Sequence, residues 1–311
     1  MPTEHMGEYL RGRLKVELLK LDRLKAVATF PPDLQGPPAA GHGGGTAALL
    51  LEMVRMVAGE RDGVVVLPRP LRLEVTLHRE LPLETPLRAE VEPGEGGWCS
   101  RIRTGERLIA EAVVRPGADP LPVLPAGLRQ RFEASLGTAY RVPGYEWCLG
   151  CGFRNPRGAQ VRFEYNDDFM WKRLAPLPHF RCQDGSLFPG YACIVTDELG
   201  WWLGALRQGE CGLSNRVLLT LGDPVPHAVP LLALGLRAAV RSGDSKGRIW
   251  QTQALLLTGD WQPVAAADVQ FAGSRAFTKL MLPGFVVDDG GAAIRRAFPR
   301  DADRDPAAPR G

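Results

Sequence analysis

Apolar positions along the chain follow two alternating rhythms, one of period two and one that is helical. Residues 14–30 carry a Val/Leu alternation interrupted at Asp22-Arg23, which predicts two strands or a hairpin. The Pro/Gly stretch PPDLQGPPAAGHGGG that follows cannot form regular structure. It opens into TAALLLEMVRMVAG (46–59), whose Ala, Leu and Met content predicts a helix. Pro70 to Val91 and Cys99 to Val114 alternate as strands, Pro116 to Pro125 reads as a linker, and residues 126–138 as a short helix. In the second half a strand is predicted over 159–167, followed by the segment PGYACIVTDELGWWLGAL (189–206). That segment is apolar on nearly every side of a helical projection, which predicts a buried helix. Strand-like runs then fall around Arg216 to Leu221, Leu231 to Val240, Arg248 to Leu257 and Val264 to Phe271.

The two halves repeat one another. Thr76-Leu77, Pro82 and Pro86-Leu87 recur as Thr220-Leu221, Pro226 and Pro230-Leu231, at a constant offset of 144. The two helices superpose at an offset of 146, which pairs Gly44 with Gly190 and Glu52 with Glu198. This is the signature of an internal duplication of one α+β module, a long antiparallel sheet wrapped around a central helix. A single such sheet keeps an open edge, and a fused duplicate supplies the cover for it. The expected division is an N-terminal module over 1–118, a linker over 119–145, a C-terminal module over 146–297 and a disordered tail over 298–311.

Composition narrows the class. The chain has 311 residues, 45% hydrophobic and 23% charged, enough for two domains with sizeable cores. A net charge of +3 without a basic run argues against a nucleic-acid partner. No run of eighteen apolar residues and no signal-type N-terminus occurs, so no membrane span and a cytoplasmic location are expected. Six scattered cysteines do not form a disulfide framework. Cys148 and Cys151 have the spacing of half a zinc site, but no second pair of that kind exists, so neither metal nor redox cofactor is expected. Phosphate-loop, serine-hydrolase and zincin motifs are absent.

The chemistry-bearing feature is the adjacent pair Asp197 and Glu198 in the middle of the buried helix. Ionised carboxylates are costly to bury without partners, so either they reach a rim or they serve a reaction. Neighbouring helical positions diverge by about 100°, so Glu198 either assists Asp197 or faces away from it.

His42-Gly43-Gly44 before the first helix, Cys148-Leu-Gly-Cys151-Gly152 with Asn155-Pro156-Arg157-Gly158, and Asp197-Glu198-Leu-Gly-Trp together resemble the hot-dog acyl-CoA thioesterases. The likeness is to their phenylacetate-type and 4-hydroxybenzoyl-CoA branch, over about residues 14–115 and 146–285. The resemblance implies two tandem hot-dog modules and an acyl-CoA substrate, with coenzyme A entering only as part of that substrate. It also implies sites between modules, each taking a loop glycine from one module and an acid from the other. In such a site the N–H groups at the helix start would polarise the thioester carbonyl, and the acid would activate water or attack. The family's acid stands nine residues after the His of His-Gly-Gly. Here that place holds Leu51 in the first half, with Glu52 one residue late, and Asp197 in the second. The second loop reads Phe188-Pro189-Gly190, and Pro189 has no N–H to donate. One composite site is therefore expected, with His42, Gly43 and Gly44 facing Asp197. Glu198 and Glu52 are auxiliary candidates, and the opposite interface is expected to be degenerate. Two rivals remain: a non-catalytic acyl- or CoA-binding protein, and an acyl-CoA hydratase or dehydratase. The latter is disfavoured because no Asp precedes the loop His by a few residues. Pairing of the double module into a homodimer is also compatible.

Overall fold

The computed structural model describes residues 4–20, 23–58, 60–61, 64–65, 67–117, 120–238, 240–241, 249–286 and 291–301. The first half begins with a short helix, α1 (Met6–Arg11), and a hairpin, β1 (Leu14–Lys20) and β2 (Arg23–Ala28). The central helix α2 (Gly43–Val57) follows, then β3 (Leu71–Leu77), β4 (Leu87–Gly94), β5 (Gly97–Thr104) and β6 (Arg107–Pro116). Helix α3 (Leu128–Ser135) lies within the expected linker. The second half contains β7 (Phe169–Leu174), α4 (Pro189–Gln208), β8 (Gly212–Leu221), β9 (Leu231–Leu236), β10 (Ile249–Thr258) and β11 (Pro263–Gly273).

Strand order makes the duplication visible. The eleven longer strands lie in one antiparallel sheet that runs β1-β2-β4-β5-β6-β3 and continues β8-β11-β10-β9-β7. The second series is the first read backwards, with β2 matching β7, β4 matching β9 and β3 matching β8. Arg23–Ala28 and Phe169–Leu174 stand 146 residues apart, as the central helices do. The halves join where β3 pairs with β8, and there Glu74 lies opposite Leu218. These two residues are 144 apart, so the pseudo-twofold axis passes between repeat-equivalent positions. This is the hot-dog arrangement in two copies.

Strands β2, β3 and β4 bury alternate residues, as period-two patterning demands, whereas β9 is buried at five of its six positions. In β3 the alternate buried residues are Leu71, Leu73 and Val75. Helix α2 packs on β4, β5 and β6, and α4 on β8 to β11, so both helices lie on the inner side of the curved sheet and touch each other. Their crossing is tight because it is lined with glycine. A Cβ on Gly44 would stand 2.7 Å from Ile194 Cα, and one on Gly190 would stand 2.7 Å from Ala48 Cβ. These are the same contact repeated across the axis.

Two local expectations are corrected. The strand predicted over 159–167 is reduced to Glu164–Tyr165. Its first residues bond elsewhere: the N–H groups of Ala159 and Val161 donate to the carbonyls of Leu149 and Gly150, at 2.7 and 2.9 Å. Also, Phe298, assigned to the tail, is fully buried and stacks on Phe285. Residues 302–311 of that tail, and Asp22 in the first hairpin, lie outside the described residues. Among the described residues no helix is long and apolar enough to cross a membrane.

Beneath the loop leading to α4, His179 is buried and its Nε2–H donates to the Arg157 carbonyl at 3.1 Å. Burial pushes its pKa down to about 4. The unfolded chain binds a proton on this ring near pH 6.5 and the folded chain does not, so stability is complete above that pH. It is lost as the pH falls towards 4. The urea midpoint should therefore drop between pH 6.5 and 4.5, and His179→Gln should flatten that slope.

Candidate active site

The N-terminus of α2 is capped by His42, whose Nδ1 lies 3.3 Å from the Gly45 N–H. The first N–H groups of a helix lack intrahelical acceptors and attract negative charge. Here the next donor is answered from the other module. Gly44 N–H donates to Asp197 Oδ2 on α4 at 2.7 Å. Such an approach tolerates no side chain: a Cβ on Gly43 would lie 2.9 Å from Asp197 Oδ2, and one on Gly44 would lie 2.4 Å from the Cys193 carbonyl oxygen. The glycine run thus follows from the closeness of α4. The expectation that both glycines offer free donors is corrected for Gly44, because Asp197 takes its N–H. Gly43 N–H has no hydrogen-bond partner among the described residues.

Asp197 is almost wholly buried, and its Oδ1 accepts no hydrogen bond among the described residues. Burial raises its pKa, partly countered by the His42 charge, the Ser214 hydroxyl and the Gly44 N–H. Glu198 does not face away. Its Oε2 lies 3.0 Å from His42 Nε2, while Asp197 Oδ2 lies 3.5 Å from His42 Nδ1. An imidazole carries its nitrogens on opposite edges, so one ring spans two side chains that diverge along a helix. Glu198 Oε1 also accepts from Trp202 Nε1 at 3.0 Å. Burial alone would raise the Glu198 pKa, but hydrogen bonds from His42, Cys151 and Trp202 and the His42 charge hold it below the ordinary value.

Sequence reasoning reads Cys148 only as part of half a zinc motif and does not place it in this site. The bonds from Ala159 and Val161 fix its loop, and Cys148 Sγ lies 3.6 Å from Glu198 Oε2 and accepts the Gly150 N–H at 3.3 Å. Burial would raise the thiol, yet the Cys151 and His42 hydrogen bonds lower it to about 7. Cys151 itself is pushed well up by donating to Cys148 and by burial. For His42, burial favours the neutral ring, but Cys148, Glu198 and Asp197 raise its pKa well above the usual value. The Nδ1 atom accepts from Gly45 when the ring is neutral there, and donates towards Asp197 when it is protonated.

These groups line a cavity of about 430 Å³, walled by residues of both modules, among them Leu77, Trp201, Trp202, Leu213 and Phe277. The repeat-equivalent interface is built differently. Glu52 is fully buried, with Oε1 and Oε2 each 2.6 Å from Arg11 of α1 and Arg55. The Phe188 ring crowds Gly190, and Leu51 is buried core. A cavity of about 310 Å³ on that side is lined by Arg55, Arg69, Phe188 and Pro189 and not by Glu52. Arg154, Arg157 and Arg216 pair with Glu146, Glu4 and Glu74.

Comparison of the sequence with protein-family models and with curated proteins finds no match. Solved structures do match across nearly the whole length. A tesB protein of Mycobacterium avium subspecies paratuberculosis is 14% identical, with 86% of this chain and 99% of that one covered at a TM-score of 0.54. A Novosphingobium aromaticivorans protein assigned provisionally as a thioesterase is 15% identical, with 84% and 98% covered and a TM-score of 0.53. An N-terminal dehydratase from the difficidin assembly line is 11% identical, with 82% and 95% covered and a TM-score of 0.55. At such identities the likeness carries the fold, the double hot-dog, and leaves the reaction to the site.

Proposed function

We propose that this double hot-dog hydrolyses an acyl-CoA thioester at a single composite site between its modules. The observation that carries the reading is the buried Asp197 Oδ1, unpartnered among the described residues, in a site also lined by Gly43, whose N–H has no partner among them. The thioester carbonyl oxygen faces Gly43 N–H and the start of α2, where developing negative charge is favoured. Asp197 Oδ1 takes a proton from a water that attacks the carbonyl carbon, and the CoA thiolate departs. The raised pKa of Asp197 makes it a stronger base than an exposed aspartate. Gly44 and His42 hold that carboxylate in place, and Glu198 holds His42. Aromatic and aliphatic walls, including Trp202 and Phe277, suit an apolar acyl group.

One observation favours a second reading, dehydration or hydration of an acyl thioester. The His–Asp pair that the sequence lacks locally is assembled across the modules, His42 Nδ1 to Asp197 Oδ2 at 3.5 Å. One member of such a pair can take the proton beside the carbonyl and the other can serve the leaving hydroxyl. Free-thiol release from a panel of acyl-CoAs, run beside 3-hydroxyacyl- and enoyl-CoA substrates, separates the two. Thiol release supports hydrolysis. Interconversion of hydroxyacyl and enoyl forms without thiol release supports the second reading. Neither activity, with an acyl-CoA bound, leaves a binding protein.

A further inference from the structure

The Cys148 loop has no part in the hydrolysis just described, yet it completes a set of donors that no sequence motif joins. His42 comes from the start of α2, Glu198 from the middle of α4, and Cys148 from the lead-in to the second module. Their ligand atoms all lie within 4.8 Å of one another, and all three residues are buried. His42 Nε2 stands 3.0 Å from Glu198 Oε2, and Cys148 Sγ stands 3.6 Å from the same oxygen. A tetrahedral ion with bonds of about 2.0–2.3 Å to N, O and S places its donors roughly 3.3–3.7 Å apart. Two of the three separations are near that spacing, and the third is within 4.8 Å.

Each donor is also oriented from behind, as ligands of a metal usually are. His42 turns Nδ1 towards Asp197 Oδ2 at 3.5 Å. Glu198 has its other oxygen fixed by the Trp202 indole, and Cys148 Sγ receives the Gly150 N–H. Gly150 leaves the room that the arrangement needs: a Cβ there would lie 2.4 Å from Glu198 Oε2 and 2.8 Å from His42 Nε2. All three donor residues also line the 430 Å³ cavity, so a fourth position faces space that a water or a substrate oxygen can fill. Three protein ligands with one open place is the pattern of a reactive zinc site, whereas closed structural sites use four.

We propose that His42 Nε2, Cys148 Sγ and Glu198 Oε2 bind one thiophilic divalent cation, zinc by the chemistry of the donors. The sequence reading expects no metal because it counts ligands only within cysteine and histidine motifs. The fold brings in the other two from more than forty residues away on either side. The inference goes beyond the hydrolysis reading and stands whether or not a thioester is turned over.

The test uses the full chain, stripped with chelator and titrated with Co²⁺ alone, without thioester. A near-ultraviolet cobalt–thiolate band should rise to saturation at one ion per chain and be displaced by Zn²⁺. Cys148→Ser should abolish the band. Glu198→Gln should keep it but weaken binding at least tenfold, and Cys99→Ser, on β5 and outside the cavity, should leave it within about threefold of wild type. Circular dichroism checks that each variant is folded, and the wild-type titration decides the matter even if one is not. Absence of a saturable band in wild type overturns the proposal. So does a band that survives Cys148→Ser in folded protein, which would put the ion on another cysteine.

Discussion

Asp197→Asn is expected to lower the rate of thiol release by about 10³-fold, within the range for losing a positioned general base. The substitution is nearly isosteric, and its side-chain carbonyl can still accept the Gly44 N–H that Asp197 Oδ2 accepts at 2.7 Å. The helix crossing and the cavity should therefore persist. What is lost is the unpartnered oxygen that receives a proton from water. Because that interaction belongs to the transition state, kcat should carry nearly all of the loss and KM should change by less than about threefold. Steady-state thiol release, with a melting curve to show that the fold is intact, checks the split.

Gly44→Ala is expected to be the most destabilising single methyl addition at the crossing of the central helices, at about 3 kcal/mol or more, the upper end of overpacking effects. The added Cβ would lie 2.4 Å from the Cys193 carbonyl oxygen and 2.7 Å from Ile194 Cα. Both are backbone atoms of α4, so relief requires the helices to separate, and separation pulls Gly44 N–H away from Asp197. Gly190→Ala, the repeat-equivalent change, meets chiefly the Phe188 ring and Ala48 Cβ. Side chains yield more readily than backbone, so it should cost less. Urea denaturation of the two variants beside wild type measures the difference.

Much of this architecture is legible in the sequence because duplication writes each element twice. The offset of 146 that links the helices also links β2 with β7, and the offset of 144 reappears as the pairing of Glu74 with Leu218. The meeting of Asp197 with the first glycine loop is what the resemblance implies, since each half keeps a different part of the family's apparatus. What escaped depends on tertiary contacts. Helix α1 has six residues, too few for a periodicity, yet its Arg11 neutralises Glu52 and fills out the opposite interface. The arrival of Cys148 beside Glu198 is set by backbone bonds from Ala159 and Val161, in a stretch whose alternation reads as a strand. The loss of Gly44 as a free donor follows from how closely α4 approaches, which no local pattern encodes.

The claim on which the rest depends is that each chain holds one acyl-CoA site, on the Asp197 side of the pseudo-twofold axis. Calorimetric titration with a non-hydrolysable thioether analogue of an acyl-CoA tests it most directly, using wild type, Ser214→Phe to fill the cavity beside Asp197, and Glu52→Gln on the opposite side. The account predicts one analogue per chain, lost in Ser214→Phe and retained in Glu52→Gln. Two analogues per chain, or a single one that survives Ser214→Phe and disappears in Glu52→Gln, would contradict it.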